Sequence, residues 1–93
     1  MNEAEKIKKE CEFIIKIADA INENLHIWGI FELWQKDNSL IYGSEFSIAH
    51  DGETYYIKVH EGEKINAKIN INSLKFIGPK IYVIEQKESD KNE

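Results

Sequence analysis

The side chains best suited to chemistry at neutral pH are three histidines and one cysteine, His26, His50, His60 and Cys11. Imidazole and thiolate groups bind metals, or act as bases and nucleophiles, when several of them converge. No HxH, HExxH or CxxC spacing joins these residues, so the sequence predicts no metal site and no cofactor. Cys11 also falls in an apolar helical stripe, where a thiol behaves as a small hydrophobic group.

The carboxylates and glycines are dispersed in the same way. Aspartates and glutamates are scattered along the chain, and none of them forms a pair that resembles a buried acid and base. The five glycines are spread over separate turns and strands, so no phosphate-binding loop is predicted. We therefore expect a protein that is not an enzyme.

Composition and charge bear on the number of domains, the class of partner and the location of the protein. The chain has 93 residues, a net charge of −5 and 42% hydrophobic residues, which predicts one folded domain over residues 1–87 and a flexible polar tail over 88–93. All twelve basic residues are lysine, and acidity without arginine disfavours contact with nucleic acid or with anionic membranes. A charged N-terminus, a single cysteine and no long apolar segment lead us to expect a cytoplasmic location.

A long amphipathic helix is predicted over residues 3–24. Its apolar residues recur at spacings of three and four, which places them on one face. The stripe consists of Ala4, Ile7, Cys11, Ile14, Ala18, Ile21 and Leu25, widened by Ile15 and Ile17. Asn22 and Asn24 are the expected stop signals.

After Leu25 the pattern alternates with a period of two, which is typical of strands. A two-residue loop at Asp51-Gly52 predicts a hairpin that pairs Ile48 with Tyr55 and Glu45 with Lys58. A second two-residue loop at Asp37-Asn38 pairs Leu33 with Tyr42. The segments INAKINI and KIYVIEQ supply the last two strands.

The predicted fold is α+β, with the N-terminal helix packed on one face of an antiparallel meander of about five strands. The segment HIWGIFELWQ, residues 26–35, is interpreted as the first strand. The alternative is a helix, because Ile27, Ile30, Phe31 and Trp34 also fit helical spacing.

Alternation divides this sheet into two faces. The face under the helix would carry Ile27, Phe31, Leu33, Tyr42, Phe46, Ile57 and Val59. The opposite face would carry an apolar band of Trp28, Ile30, Trp34, Ile41 and Tyr56, with Glu32 and Lys58 beside it. No second helix is predicted to cover this band, so these seven residues are the predicted partner-binding site.

The sequence therefore predicts a small acidic module that binds a protein partner. One concrete hypothesis is a phage- or mobile-element-encoded inhibitor whose acidic surface engages a host defence or nucleic-acid-handling enzyme. One alternative is a nucleic-acid or small-ligand binder that uses the aromatic face, although few lysines share that face. The others are a structural homodimer and burial of the tryptophans within the molecule.

Overall fold

The computed structural model of the chain describes residues 2–84. It confirms an α+β fold that begins with one long helix, but the described strands number seven and form two antiparallel sheets rather than one five-stranded meander. In chain order the elements are α1 (Glu3–Trp28), β1 (Phe31–Gln35), β2 (Leu40–Gly43), β3 (Phe46–Asp51), β4 (Thr54–Glu61), β5 (Lys64–Asn70), a 3-10 turn (Ile71–Ser73), β6 (Leu74–Gly78) and β7 (Tyr82–Val83).

The helix begins at an asparagine cap and ends at a glycine. Asn2 Oδ1 accepts a hydrogen bond from the Glu5 N–H at 2.8 Å. Gly29 adopts a left-handed conformation with φ 73°, and its N–H donates to the Leu25 carbonyl at 2.8 Å. Since this glycine and not an asparagine ends the helix, residues 26–28 are helical and the prediction of a strand beginning at residue 26 is wrong.

Asn24, one of the predicted stop residues, instead ties the helix to the chain before β7. Its side chain is 1% exposed. Its amide nitrogen donates to the Ala20 and Lys80 carbonyls, and its Oδ1 accepts from the Lys80 N–H at 2.6 Å. Because both the amide nitrogen and the oxygen of this buried side chain are hydrogen-bonded, Asn24 stabilises the contact between α1 and the chain before β7.

The first sheet has the strand order β2-β1-β6-β7, and the second has the order β3-β4-β5. The strand β6 was not predicted, and it pairs with β1 across a long sequence separation. Within the described residues the predicted last strand is reduced to Tyr82–Val83, and residues 85–86 of KIYVIEQ and the predicted tail over 88–93 lie outside them.

The helix and both sheets share one core. Its fully or nearly buried side chains are Ile17, Ile21, Phe31, Leu33, Ile57, Val59, Ile69, Ile71, Leu74, Ile77 and Ile84. Four predicted inward residues, Phe31, Leu33, Ile57 and Val59, are confirmed, and Phe46 packs against them. Two are wrong, because Ile27 lies in the helix and is 49% exposed, and Tyr42 is 64% exposed.

The error at Tyr42 arises from the length of the first hairpin loop. Gln35 N–H donates to the Ser39 carbonyl at 2.9 Å, so the loop contains three residues, 36–38, instead of two. Asn38 takes the left-handed conformation, with φ 71°, that such loops require at their last position. The register therefore moves by one residue, and Leu33 pairs with Ile41.

The second hairpin also differs in register, but its faces are unchanged. Its loop is Gly52-Glu53, so Ile48 pairs with Ile57 and Lys58 pairs with Ser47. Only Gly52 has a positive φ, which matches the type II′ turn and not the predicted type I′ turn. A shift of two residues preserves which side chains face inward.

In β5 the predicted alternation holds at Ile69 and at Ala67, which is partly buried. Ile71, the last predicted inward residue, lies in the following 3-10 turn and is buried. The pattern fails at Ile65, which is 53% exposed, because an irregularity opposite Val59 and His60 inserts one extra residue.

The N-terminal part of α1 extends beyond the sheets. The whole helix has 26 residues and spans about 39 Å, and the longest strand, β4, has only eight residues. Every described residue up to position 12 is exposed, including Ala4, Ile7 and Cys11 of the predicted buried stripe. Burial begins only with the residues beside Ile17 and Ile21. No helix within residues 2–84 is long and apolar enough to cross a membrane.

Candidate protein-binding surface

A row of four apolar side chains crosses the first sheet on the side away from the core. Direct cross-strand pairs join Trp34 to Leu40 on β2, Trp34 to Phe76 on β6, and Phe76 to Val83 on β7. Paired residues project from the same face of a sheet, so all four lie side by side. We call Leu40, Trp34, Phe76 and Val83 the apolar row.

Two contacts hold the centre of the apolar row. The rings of Trp34 and Phe76 are stacked, with centroids 5.4 Å apart and an interplanar angle of 24°. The indole Nε1–H of Trp34 donates to Glu32 Oε1 at 3.1 Å. The indole is therefore fixed by a neighbouring ring on one face and by a hydrogen bond at its N–H. The centre of the apolar row is thus ordered before any partner binds.

The ends of the apolar row are more exposed than its centre. Leu40 is 37% exposed and Val83 is 59% exposed, while Trp34 and Phe76 are half-buried. Tyr42 lies on the same face, paired with Glu32, and extends the exposed surface beside Leu40.

The helix lies on the opposite side of the first sheet from the apolar row. The helix contacts β1 and β6, and its buried residues Ile17 and Ile21 lie in the core with Leu33 and Ile77, which point to the other side of the sheet. The sequence of residues 85–93, EQKESDKNE, contains no apolar side chain that could extend the row. Exposed apolar clusters of this kind are characteristic of contact surfaces.

The outer face of the second sheet is polar. One row across its three strands consists of Ser47, Lys58 and Lys68, and the next consists of Ala49, Tyr56 and Asn70. Lys68 Nζ lies 4.4 Å from the centroid of the Tyr56 ring, so the aromatic face is covered by a cation.

The structure separates the seven predicted site residues. Glu32 and Trp34 lie together on the first sheet, whereas Tyr56 and Lys58 lie on the second. Trp28 is the last residue of α1 and is 50% exposed.

The other two predicted site residues lie elsewhere. Ile30 is half-buried in the connection between α1 and β1. Ile41 was placed on the wrong face, because the three-residue loop turns it inward beside Leu33, where it packs against the core.

Three residues of the surface were missed. Leu40 was not assigned to it. Phe76 belongs to β6, which reaches β1 from a distant part of the chain, and Val83 belongs to β7, which pairs with β6. The alternation of Leu74, Phe76 and Gly78 with Lys75 was the available signal for β6, although Ile77 lies on the same face as Lys75 and makes that face mixed.

The histidines lie apart from one another. His50 stacks on Tyr55, with ring centroids 4.4 Å apart, at the hairpin end of β3 and β4. His60 is near the other end of β4, with its Nδ1 3.6 Å from Glu45 Oε1. Among the described residues, no group of three or more histidine, cysteine, aspartate or glutamate side chains is placed to hold a metal ion.

A groove of about 440 Å³ lies between α1 and the chain before β7. Two of its four charged side chains interact, since Lys80 Nζ lies 2.5 Å from Glu23 Oε2, and the other two are Lys16 and Asp19. Asn24, at its base, is fully hydrogen-bonded to the main chain. The buried polar side chain in its lining is therefore already paired with main-chain groups of the chain itself.

No protein-family model, no curated protein and no solved structure matches the chain.

Proposed function

We propose that this protein is a non-catalytic module that binds a protein partner through the apolar row. The observation that carries the proposal is the continuous line of Leu40, Trp34, Phe76 and Val83 across all four strands of a sheet whose other face is already packed. Folding requires apolar residues on one face of such a sheet only, so a second apolar face is best accounted for by contact with another molecule.

The chemistry of the row defines the kind of surface that fits it. Adjacent strands lie about 4.8 Å apart, so four strands present an apolar line about 15 Å long. Its centre carries a tryptophan and its flank a tyrosine, and both residue types are enriched among the side chains that dominate interface energies. The Glu32 carboxylate beside Trp34 favours a partner with a hydrogen-bond donor or a cation next to its apolar centre.

The charge of the chain supports a more specific proposal. A net charge of −5 attracts a basic partner and accelerates association with it. An inhibitor that covers the basic groove of a nucleic-acid-handling or defence enzyme fits this balance. In that case the association rate falls steeply as salt is raised, while the dissociation rate changes little.

Site-specific photo-crosslinking in the cell that encodes the protein tests the docking surface. A benzophenone amino acid replaces Val83 at one end of the apolar row, or Tyr56 on the polar outer face of the second sheet as the matched control. We expect one discrete heterologous adduct from position 83 and none from position 56. Equal adducts from both positions, or none from position 83, would contradict the proposal.

The purified partner then allows the row itself to be tested. We expect Phe76→Ser to weaken binding by about 30-fold or more, the loss typical of a central interface residue. Lys68→Ser, on the second sheet, should leave affinity within about twofold. A partner that binds both variants equally well does not use the apolar row.

A further inference from the structure

The free edge of β2 presents unpaired main-chain groups. In an antiparallel pair, residues alternate between those bonded to the partner strand and those whose N–H and C=O point away. The bond from Gln35 N–H to the Ser39 carbonyl makes residue 39 a bonded position, so Ile41 is bonded to Leu33 as well. Leu40 and Tyr42 therefore direct their N–H and C=O groups outward from the edge of the sheet.

Within residues 2–84, no second strand is hydrogen-bonded to this edge, and β4 approaches only its Gly43 end. β2 is the terminal strand of the first sheet. Within residues 2–84, no main-chain hydrogen bond from a turn or loop reaches Leu40 or Tyr42.

The other edge strands carry charges, an irregularity or only two residues, whereas the four residues of β2 carry neither a charge nor a proline. Natural sheets protect their edges with charges, prolines, bulges or very short strands. β5 contains Lys64, Lys68 and an irregularity beside Ile65, and β3 ends in Asp51. β7 has two residues. The sequence of β2, LIYG, has no charge and no proline, and its pairing with β1 is regular.

We propose that β2 pairs with β2 of a second copy of this chain, antiparallel and centred on Ile41. Leu40 then bonds with Tyr42 of the partner subunit, and Tyr42 with the partner subunit's Leu40, which satisfies all the outward main-chain groups within the strand. In this register, both residues of β2 whose main-chain groups point away from β1 pair with the equivalent residues of the other β2.

The side chains fit the same register. On the outer face Leu40 lies beside the partner's Tyr42, so apolar meets aromatic in both directions. On the inner face the two Ile41 side chains meet at the two-fold axis. The two first sheets become one continuous sheet, and their apolar rows lie on the same side of it. This pairing shares only Leu40 with the apolar row, and its main-chain bonds lie at the edge of the sheet, so it can be tested separately from the proposed docking of a protein partner.

Engineered cysteines test the register. Ile41→Cys in a Cys11→Ser background places two thiols directly opposite at a pair that is not hydrogen-bonded, where Cα atoms lie about 4.5 Å apart and a disulfide can form. Leu40→Cys in the same background is the matched control, because its counterpart lies two residues, about 7 Å, along the neighbouring strand.

We expect mild oxidation to crosslink most of the Ile41→Cys protein and little of the Leu40→Cys protein. Equal crosslinking of the two, crosslinking of neither, or preferential crosslinking of Leu40→Cys overturns the proposed pairing.

A proline pair tests the edge without any covalent trap. Tyr42→Pro removes one outward N–H and leaves the bonds between β2 and β1 intact, a position where edge strands tolerate proline. In the second sheet, the pair that closes the two-residue loop is hydrogen-bonded, and alternation from it makes Lys58 bond to β3 and not to β5. Lys68, which lies opposite Lys58, therefore directs its N–H away from β4, so Lys68→Pro is the matched control.

Sedimentation equilibrium should show the wild type and Lys68→Pro as dimers, and Tyr42→Pro as monomers, with circular dichroism confirming that each variant is folded. If Tyr42→Pro misfolds, Tyr42→Lys provides the same test through charge. A monomeric wild type, or a Tyr42 variant that is folded and dimeric, overturns the proposal, and neither result bears on the photo-crosslinking at Val83.

Discussion

The two sheets share a core but present opposite kinds of surface on their outer faces. Across the first sheet run Leu40, Trp34, Phe76 and Val83, and across the second run Ser47, Lys58 and Lys68. Both sheets bury a complete set of aliphatic residues on their inner faces. The second sheet shows that this fold is satisfied with a polar exterior, so the apolar exterior of the first sheet is not a requirement of folding.

The lysines strengthen this contrast. On the second sheet the one large aromatic ring of the outer face, Tyr56, lies under Lys68. On the first sheet the Trp34 ring stacks on another aromatic ring. The same alternating strand pattern thus supports a surface suited to water on one sheet and a surface suited to a partner on the other.

The largest expected effect comes from removing the side chain that joins the two sheets. Phe31 is fully buried, and its ring makes an edge contact with Phe46 at 5.8 Å between centroids. Phe31→Ala should lower the free energy of unfolding by about 3–5 kcal/mol, the range found for a fully buried aromatic ring. Urea unfolding measures it, with circular dichroism as one probe and Trp34 fluorescence in a Trp28→Phe background as the other.

Both probes should shift to the same lower urea midpoint, because the inner faces form one core. Two separate transitions would mean that the two sheets unfold independently. Their outer faces would then belong to two separate folding units and not to one shared fold. Leu40→Ala, a change in the apolar row that removes no core contact, is the control and should shift the midpoint by much less.

The core could be predicted from sequence because it depends on alternation and not on register. Ile57 and Val59 were placed correctly although their hairpin partners were wrong, since a shift of two residues leaves side chains on the same face. Tyr42 and Ile41 were exchanged because a loop of three residues, instead of two, shifts the register by one. The sequence Asp37-Asn38 is compatible with both loop lengths, so local turn chemistry did not decide between them.

The site was less predictable because it depends on which strands are neighbours. Glu32 and Trp34 are two residues apart on one strand, and period-two alternation places them together wherever that strand goes. Tyr56 and Lys58 were assigned to the same face because consecutive strands were assumed to form one sheet. The chain instead crosses to a second sheet after Gly43, and β6 takes the vacant position beside β1. Alternation carries no information about that crossing.

A smaller effect compares one aromatic residue from each outer face. Trp34→Ala removes a stacked pair and part of a half-buried surface, so we expect a loss of about 1–2 kcal/mol in the free energy of unfolding. Tyr56→Ala removes one exposed cation–π contact, which is worth about 0.5–1 kcal/mol. Urea titration of both variants measures the difference.

The two variants, Trp34→Ala and Tyr56→Ala, should differ little in stability but strongly in affinity for the partner. The two stability losses should lie within about 1 kcal/mol of each other, while affinity for the crosslinked partner should fall by about tenfold or more for Trp34→Ala alone. Equal losses of affinity in the two variants would show that the outer faces do not differ in function.

The smallest expected effect concerns the loop that decides which face of β2 is exposed. The Ser39 hydroxyl donates to Asp37 Oδ1 at 2.6 Å and the Ser39 N–H donates to the same atom at 2.9 Å. These two bonds, the hydroxyl first, lower the pKa of Asp37 below its ordinary value of 3.8. A carboxyl with a lowered folded-state pKa stabilises the fold above that ordinary value, and this contribution disappears as the pH falls through the lower folded-state pKa.

The side chain of Asp37 is fully exposed, so solvent and salt screen the effect and it should be the weakest of the three. In a carboxyl-carbon NMR titration, Asp37 should titrate below its ordinary range in the wild type and move back toward that range in Ser39→Ala, which removes the larger of the two causes. The stability advantage of the wild type over Asp37→Asn should be present near neutral pH and shrink below about pH 4. An Asp37 pKa that does not change in Ser39→Ala would show that the Ser39 hydroxyl does not hold this loop. The three-residue loop, and with it the exposure of Tyr42, would then rest on the main-chain bonds from the Gln35 N–H to the Ser39 carbonyl and from the Asn38 N–H to the Gln35 carbonyl.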